Sequence, residues 1–158
     1  MTTHTARPIA PAALKELRTA DDAGRPMSPV TDEEGGAMLR CCLRRSAPGE
    51  EIALVSYAPL RRWAARTGAD PGAYDEQGPV FIHAEECPGP AGDALPFTGN
   101  HRVLRRYSAD GRILGGALVT APEDFEPALT DALGDPEVAL VHVRAVEYGC
   151  FLYEVRGA

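Results

Sequence analysis

Residues 138 to 155, VALVHVRAVEYGCFLYEV, constrain the fold more than any other stretch. They read as two β-strands around a tight turn, and a connection that short permits only antiparallel pairing. Strand side chains alternate between faces. Val138, Leu140, His142 and Arg144 therefore share one face, and Ala139, Val141 and Val143 the other. An imidazole and a guanidinium inside an apolar run require partners or a ligand.

The same punctuation recurs along the chain. MLRCCLRR, from Met38, and IALVSY read as a hairpin turned by Pro48-Gly49. Arg102 to Tyr107 and Arg112 to Val119 form a hairpin closed by Ala109-Asp110-Gly111, since Asp-Gly tolerates positive φ. Gly115-Gly116 inside the second strand marks a bulge or a close packing contact. VFIHA, 80 to 84, is a further strand between two loops dense in Pro and Gly. Helical spacing marks three short segments: 11 to 18 with Leu14 and Leu17, 59 to 67 with Leu60, Trp63 and Ala64, and 123 to 133 with Phe125, Leu129 and Leu133. Pro127 confines the regular part of the last largely to its C-terminal side. The expected fold is α+β: a single domain, with a mainly antiparallel curved sheet or half-barrel of about seven strands and two or three short helices. Residues 1–34 read as an N-terminal arm with a short helix, and 35–158 as the domain.

The 158 residues suffice for one domain with a core. A net charge of -7 argues against nucleic acid or an anionic membrane as partner. No apolar run reaches the roughly 18 residues of a membrane span. The start lacks a secretory signal, so Cys41, Cys42, Cys87 and Cys150 are expected as reduced thiols in the cytoplasm. Cys41 and Cys42, adjacent on the expected strand, would point to opposite faces. Fifteen arginines stand against one lysine. Codon usage accounts for such a bias, and so does a need for planar forks that grip carboxylate or phosphate.

Four constellations can carry chemistry. The first is a polar lining: Arg40, Cys42 and Arg44 on one strand face, Arg102 and Arg106 on another, His142 and Arg144 on a third, and His83 on a fourth. If these faces converge they form a cavity for a small anion, with Arg40, Arg106, Arg144 and Tyr57 as binding residues. If they do not, the arginines lie on a solvated sheet face. The second is general acid–base catalysis by His142 or His83, helped by Tyr57, Tyr74 or Glu85. The third is a nucleophilic cysteine, Cys42 or Cys150, beside one of those histidines. The fourth is a metal set of Cys42, His83, Cys87 and His142, weakened by the lack of a C-x-x-C or H-E-x-x-H pattern. No phosphate loop, dinucleotide fingerprint or serine-hydrolase elbow occurs, so no cofactor is expected.

The segments at 35 to 50 (GGAMLRCCLRRSAPGE), 52 to 59 (IALVSYAP), 73 to 87 (AYDEQGPVFIHAEEC), 101 to 113 (HRVLRRYSADGRI) and 134 to 155 resemble an uncharacterised bacterial family, domain of unknown function 1203. Members commonly have histidine where this chain has Cys41, a departure that speaks against a role for that position. The resemblance implies one intact domain after a variable arm, and no activity. The residues point to a cofactor-free protein that binds or transforms a small carboxylate or phosphate, such as a cyclase, isomerase or hydrolase of secondary metabolism. His142, His83 and Cys42 are its candidate catalytic residues. The alternatives are a non-catalytic sensing or partner-binding module and a Cys/His metal-binding protein. Whether it is an enzyme stays open, as does the oligomeric state, a homodimer included.

Overall fold

A computed structural model describes residues 4–92 and 94–157. Among these residues seven strands form two antiparallel sheets. In chain order the elements are α1 (Pro11–Leu17), β1 (Val30–Asp32), β2 (Glu50–Tyr57), α2 (Pro59–Thr67), β3 (Gly78–His83), β4 (Arg102–Tyr107), β5 (Ile113–Val119), α3 (Phe125–Gly134), β6 (Leu140–Ala145) and β7 (Phe151–Arg156). The smaller sheet runs β1-β2-β3 and the larger β5-β4-β6-β7. The fold is α+β with antiparallel pairing within both sheets, and neither sheet closes into a barrel. No helix among the described residues is long and apolar enough to cross a membrane.

The tight turns act as their residues require. Gly111 takes φ +85 in the β4–β5 turn, and Gly149 φ +74 between β6 and β7. Opposite Arg106 and Tyr107 the pairing skips a residue, from Gly115 to Ile113. That bulge accompanies close packing: a Cβ at Gly115 would collide with Arg106 Nη2, so the guanidinium lies over the missing side chain. α1 and α2 both start on proline, where the absent N–H has no helical partner to lose. α2 ends on Gly68 at φ +79, whose N–H bonds back to Ala64 O. Pro127 falls in the first turn of α3, so it interrupts nothing.

Three apolar clusters join these elements. Phe125, Leu129 and Ala132 of α3 bury against Leu104, Val141, Val143 and Val155 of the larger sheet. Ala132 rather than Leu133 completes that stripe, because a 3.6-residue period returns to the same face at i+7 and not at i+8. Leu14 and Leu17 of α1 pack with Ile52, Val55, Val80 and Ile82 of the smaller sheet and with Phe151 of β7. Leu60 and Trp63 of α2 meet Tyr107 and Leu140. The second cluster carries the contact between the two sheets, and the third ties α2 to the larger one.

One expected strand is absent. Residues 38 to 45 form a compact loop: Leu43 takes φ +56, its N–H bonds to Leu39 O, and Leu39 N–H bonds to Arg44 O. The chain folds back within this segment, so no hairpin with β2 forms. The edge beside β2 is taken by Val30–Asp32, a stretch read from the sequence as irregular arm. The loop removes strand alternation from Arg40, Cys42 and Arg44, and with it the expectation that Cys41 and Cys42 diverge.

Candidate metal centre and a buried histidine cavity

The reversal of residues 38 to 45 turns two adjacent cysteines toward one histidine. Cys41 Sγ lies 3.4 Å from His83 Nδ1 and Cys42 Sγ 3.7 Å from it, with 3.9 Å between the sulfurs. His83 N–H also donates to Cys41 Sγ at 3.2 Å, fixing the loop against the end of β3. Cys87, four residues beyond His83, completes the group. The ligand atoms of Cys41, Cys42, His83 and Cys87 all lie within 4.8 Å of one another. Three of the four residues are buried, and Cys87 is half-buried.

The imidazole is held from its other nitrogen. Glu50 Oε2 is 2.8 Å from His83 Nε2. Arg44 grips the same carboxylate through both terminal nitrogens, at 3.0 and 2.9 Å, and the Ala47 N–H adds a third bond at 2.6 Å. With Arg44 as the main cause, these partners hold the Glu50 carboxyl well below the usual carboxylate range. An anionic Glu50 accepts a hydrogen bond from the Nε2–H, which leaves the Nδ1 lone pair facing the sulfurs. Arg44 Nη2 also stands 3.4 Å from His83 Nε2. The Glu50 contact is shorter and decides the tautomer. Within the cysteine pair, the Cys41 S–H donates to Cys42; this pushes Cys42 down to about 6 and, with burial, Cys41 up.

His142 belongs elsewhere. It sits at the centre of β6, fully buried, opposite Arg105 on β4 and Glu154 on β7. Its ring lies between Tyr107 and Phe151, with centroids 4.7 and 4.9 Å away. Nε2 is 3.5 Å from Glu154 Oε1, close enough for charge interaction but without hydrogen-bond geometry. Nδ1 has no partner among the described residues. Burial lowers the His142 pKa, and Glu154 only partly opposes it. The imidazole and Arg144 line one cavity of about 120 Å³ with Tyr57, Tyr107, Cys150 and Phe151. His142 and Arg144 therefore do face inward together.

The remaining arginines of the expected lining do not reach this cavity. Arg40 is 3% exposed; its Nε donates to Phe151 O at 2.7 Å and its Nη1 to Met38 O. Burial lowers its pKa to about 10. Arg106 alternates to the opposite face of β4 from Arg105, the residue that pairs with His142, and covers Gly115. Arg102 is wholly buried and bonds to Phe97 O, His101 O and Glu147. The single cavity expected from Arg40, Cys42, His83, Arg106 and His142 is thus two separate sites.

The metal set is corrected in the same way. His142 is not part of it, and Cys41, discounted on sequence, takes its place. No sequence signal identified Cys41, because its position depends on the reversal at Leu43. Cys150 lines the His142 cavity instead of joining the other cysteines. Arg105 and Glu76, also unmarked in the sequence, belong to the cavity surroundings: Arg105 Nη1 donates to Glu76 Oε1 at 2.7 Å.

These features define an antiparallel α+β protein with a thiol–imidazole cluster at the edge of its smaller sheet. Residues 36–157 match the family model described as protein of unknown function (DUF1203), and the chain belongs to that family. No curated protein and no solved structure matches it.

Proposed function

We propose that this chain is a metal-binding protein whose Cys41, Cys42, His83 and Cys87 hold one thiophilic divalent ion, zinc by preference. The observation that carries the reading is the spacing of the ligand atoms. Tetrahedral zinc, with Zn–S of about 2.3 Å and Zn–N of about 2.0 Å, requires sulfurs about 3.8 Å apart and sulfur–nitrogen distances of about 3.5 Å. The separations of 3.9, 3.4 and 3.7 Å among Cys41, Cys42 and His83 Nδ1 meet that requirement.

A carboxylate on the far nitrogen of a ligating histidine is the usual support for such a site. Four protein ligands fill a tetrahedron, so the ion has a structural task. It fastens the segment after β3, which has no helix or strand among its described residues from 84 to 101, onto the core loop 38 to 45. The test is elemental analysis of protein purified without a chelating tag and supplied with zinc. One zinc per chain, lost in Cys42→Ser and His83→Ala, is the expected result. Less than a tenth of an equivalent in the wild-type chain rejects the reading.

A second reading is favoured by the His142 cavity: a small anion bound beside His142 and Arg144. Its support is a wholly buried imidazole whose Nδ1 has no partner among the described residues and which lines that space. Buried polar atoms are ordinarily satisfied, by protein, water or ligand.

A further inference from the structure

Positive charge beside the His142 cavity exceeds what its surroundings neutralise. Arg105 and Arg144 project from the same face of adjacent strands, one opposite His142 and the other two residues along. Their side chains are only 25% and 13% exposed. Arg144 Nε donates to Gly149 O at 2.9 Å, and Arg105 Nη1 lies 3.3 Å from Tyr107 Oη. Glu76 is the one carboxylate that pairs with either guanidinium among the described residues. Its Oε1 takes the 2.7 Å bond from Arg105 and its Oε2 stands 3.8 Å from Arg144 Nη2. Two guanidiniums share one carboxylate.

That carboxylate is weakly anchored. Glu76 sits in the irregular stretch between the short helical turn Gly72–Tyr74 and β3, and its side chain is 48% exposed. Exposed ion pairs are weak and exchange readily with solvent. Behind Glu76 the cavity offers the neutral His142 and the rings of Tyr57, Tyr107 and Phe151.

Resting on the second reading above, we propose that this cavity binds the carboxylate of a small organic acid, and that Glu76 occupies the carboxylate position until the acid displaces it. Arginine forks match carboxylates in charge and geometry. A monoanion replacing Glu76 preserves the charge balance, whereas a dianion would not. The aromatic walls accept the acid's carbon chain, and His142 Nδ1 supplies one hydrogen bond to a further polar group. A volume of about 120 Å³ holds an acid of roughly two to four carbons, given the ~30 Å³ that one water occupies in the liquid.

Acetate and butyrate serve as probes, titrated at constant ionic strength into the wild-type chain and Glu76→Gln by calorimetry, with the His142 ¹⁵N resonances followed in parallel. Removing an internal competitor raises the apparent affinity by the fraction it had blocked. Glu76→Gln is expected to bind butyrate about fivefold tighter, the scale set by one exposed ion pair. Both proteins should show a His142 shift, and Arg144→Lys should lose most of the binding while keeping its melting temperature. Equal affinities for wild type and Glu76→Gln would overturn the displacement and leave an anion site standing. No His142 response to either acid or to inorganic phosphate, titrated in the same way, would overturn both the proposal and the second reading. A response to inorganic phosphate alone would overturn the carboxylate assignment.

Discussion

Glu50 Oε2 lies 2.8 Å from His83 Nε2, while the opposite ring nitrogen, Nδ1, stands 3.4 Å from Cys41 Sγ. This carboxylate–imidazole–thiol line orients the proposed ligand atom Nδ1, since the Nε2–H donates to Glu50. Replacing Glu50 by Gln keeps the shape and removes the charge. Metal affinity should fall by about 10- to 100-fold, as at other supported histidine ligands. Competition with a chromophoric chelator measures it, and affinity within twofold of wild type would remove Glu50 from the metal site.

The buried His142 makes stability depend on pH. Its pKa is lowered in the folded chain, chiefly by burial, so below the unfolded value of about 6.5 the unfolded state binds more protons. Stability is therefore retained above pH 6.5 and declines as the pH falls below it, with a limiting slope of about 1.4 kcal/mol per pH unit. The charged and titratable groups around the ring are Glu154 and Arg156 on β7, Arg144 on β6, Arg105 and Tyr107 on β4, Tyr57 on β2, and Cys150. Glu154 partly offsets the effect by favouring the imidazolium. Urea unfolding between pH 7 and 5 should show a steeper loss for wild type than for His142→Gln. Parallel pH profiles would mean that His142 does not contribute.

Gly35 and Gly36 separate two costs that usually occur together. Both take positive φ, +77 and +93. A Cβ at Gly35 would meet Pro48 Cδ and N at 2.9 Å, whereas one at Gly36 meets nothing within 4 Å. Gly36→Ala should cost about 1 kcal/mol, from backbone conformation alone. Gly35→Ala adds about 1–3 kcal/mol of steric conflict with a rigid ring and main chain. Chemical denaturation of the two variants decides it, and equal losses would contradict the contact.

Within α3, Leu129 is fully buried and Leu133 is half-buried. Leu129→Ala should destabilise by about 2–5 kcal/mol and Leu133→Ala by clearly less, since only the first leaves an enclosed cavity. Thermal or urea unfolding orders them. The reverse order would place the helix in another rotation.

The strands that were legible are those in which pattern and turn agree. β5, β6 and β7 each have a short apolar run, and β4 an alternating one, beside a turn containing Gly111 or Gly149, and α2 has proline at one end and glycine at the other. Such signals are local: they depend on φ preferences and on side-chain periodicity within a few residues. MLRCCLRR has the composition of a strand but not its conformation: Leu43 adopts φ +56 and bonds back to Leu39 O, while Leu39 and Arg40 are held against Phe81, some 40 residues along the chain.

The antiparallel α+β class, most element positions and the shared strand face of His142 and Arg144 follow from local pattern. Alternation along one strand places the two on one face, and the packing of the sheets turns that face inward. The gathering of Cys41, Cys42 and Cys87 around His83, and the exclusion of Arg40 and Arg106 from the His142 cavity, arise in the packed fold. Those placements depend on how a reversed loop meets the end of β3 and on which face of β4 turns toward α3. Contacts between residues some 40 positions apart are set by packing of whole elements, and no local pattern encodes them.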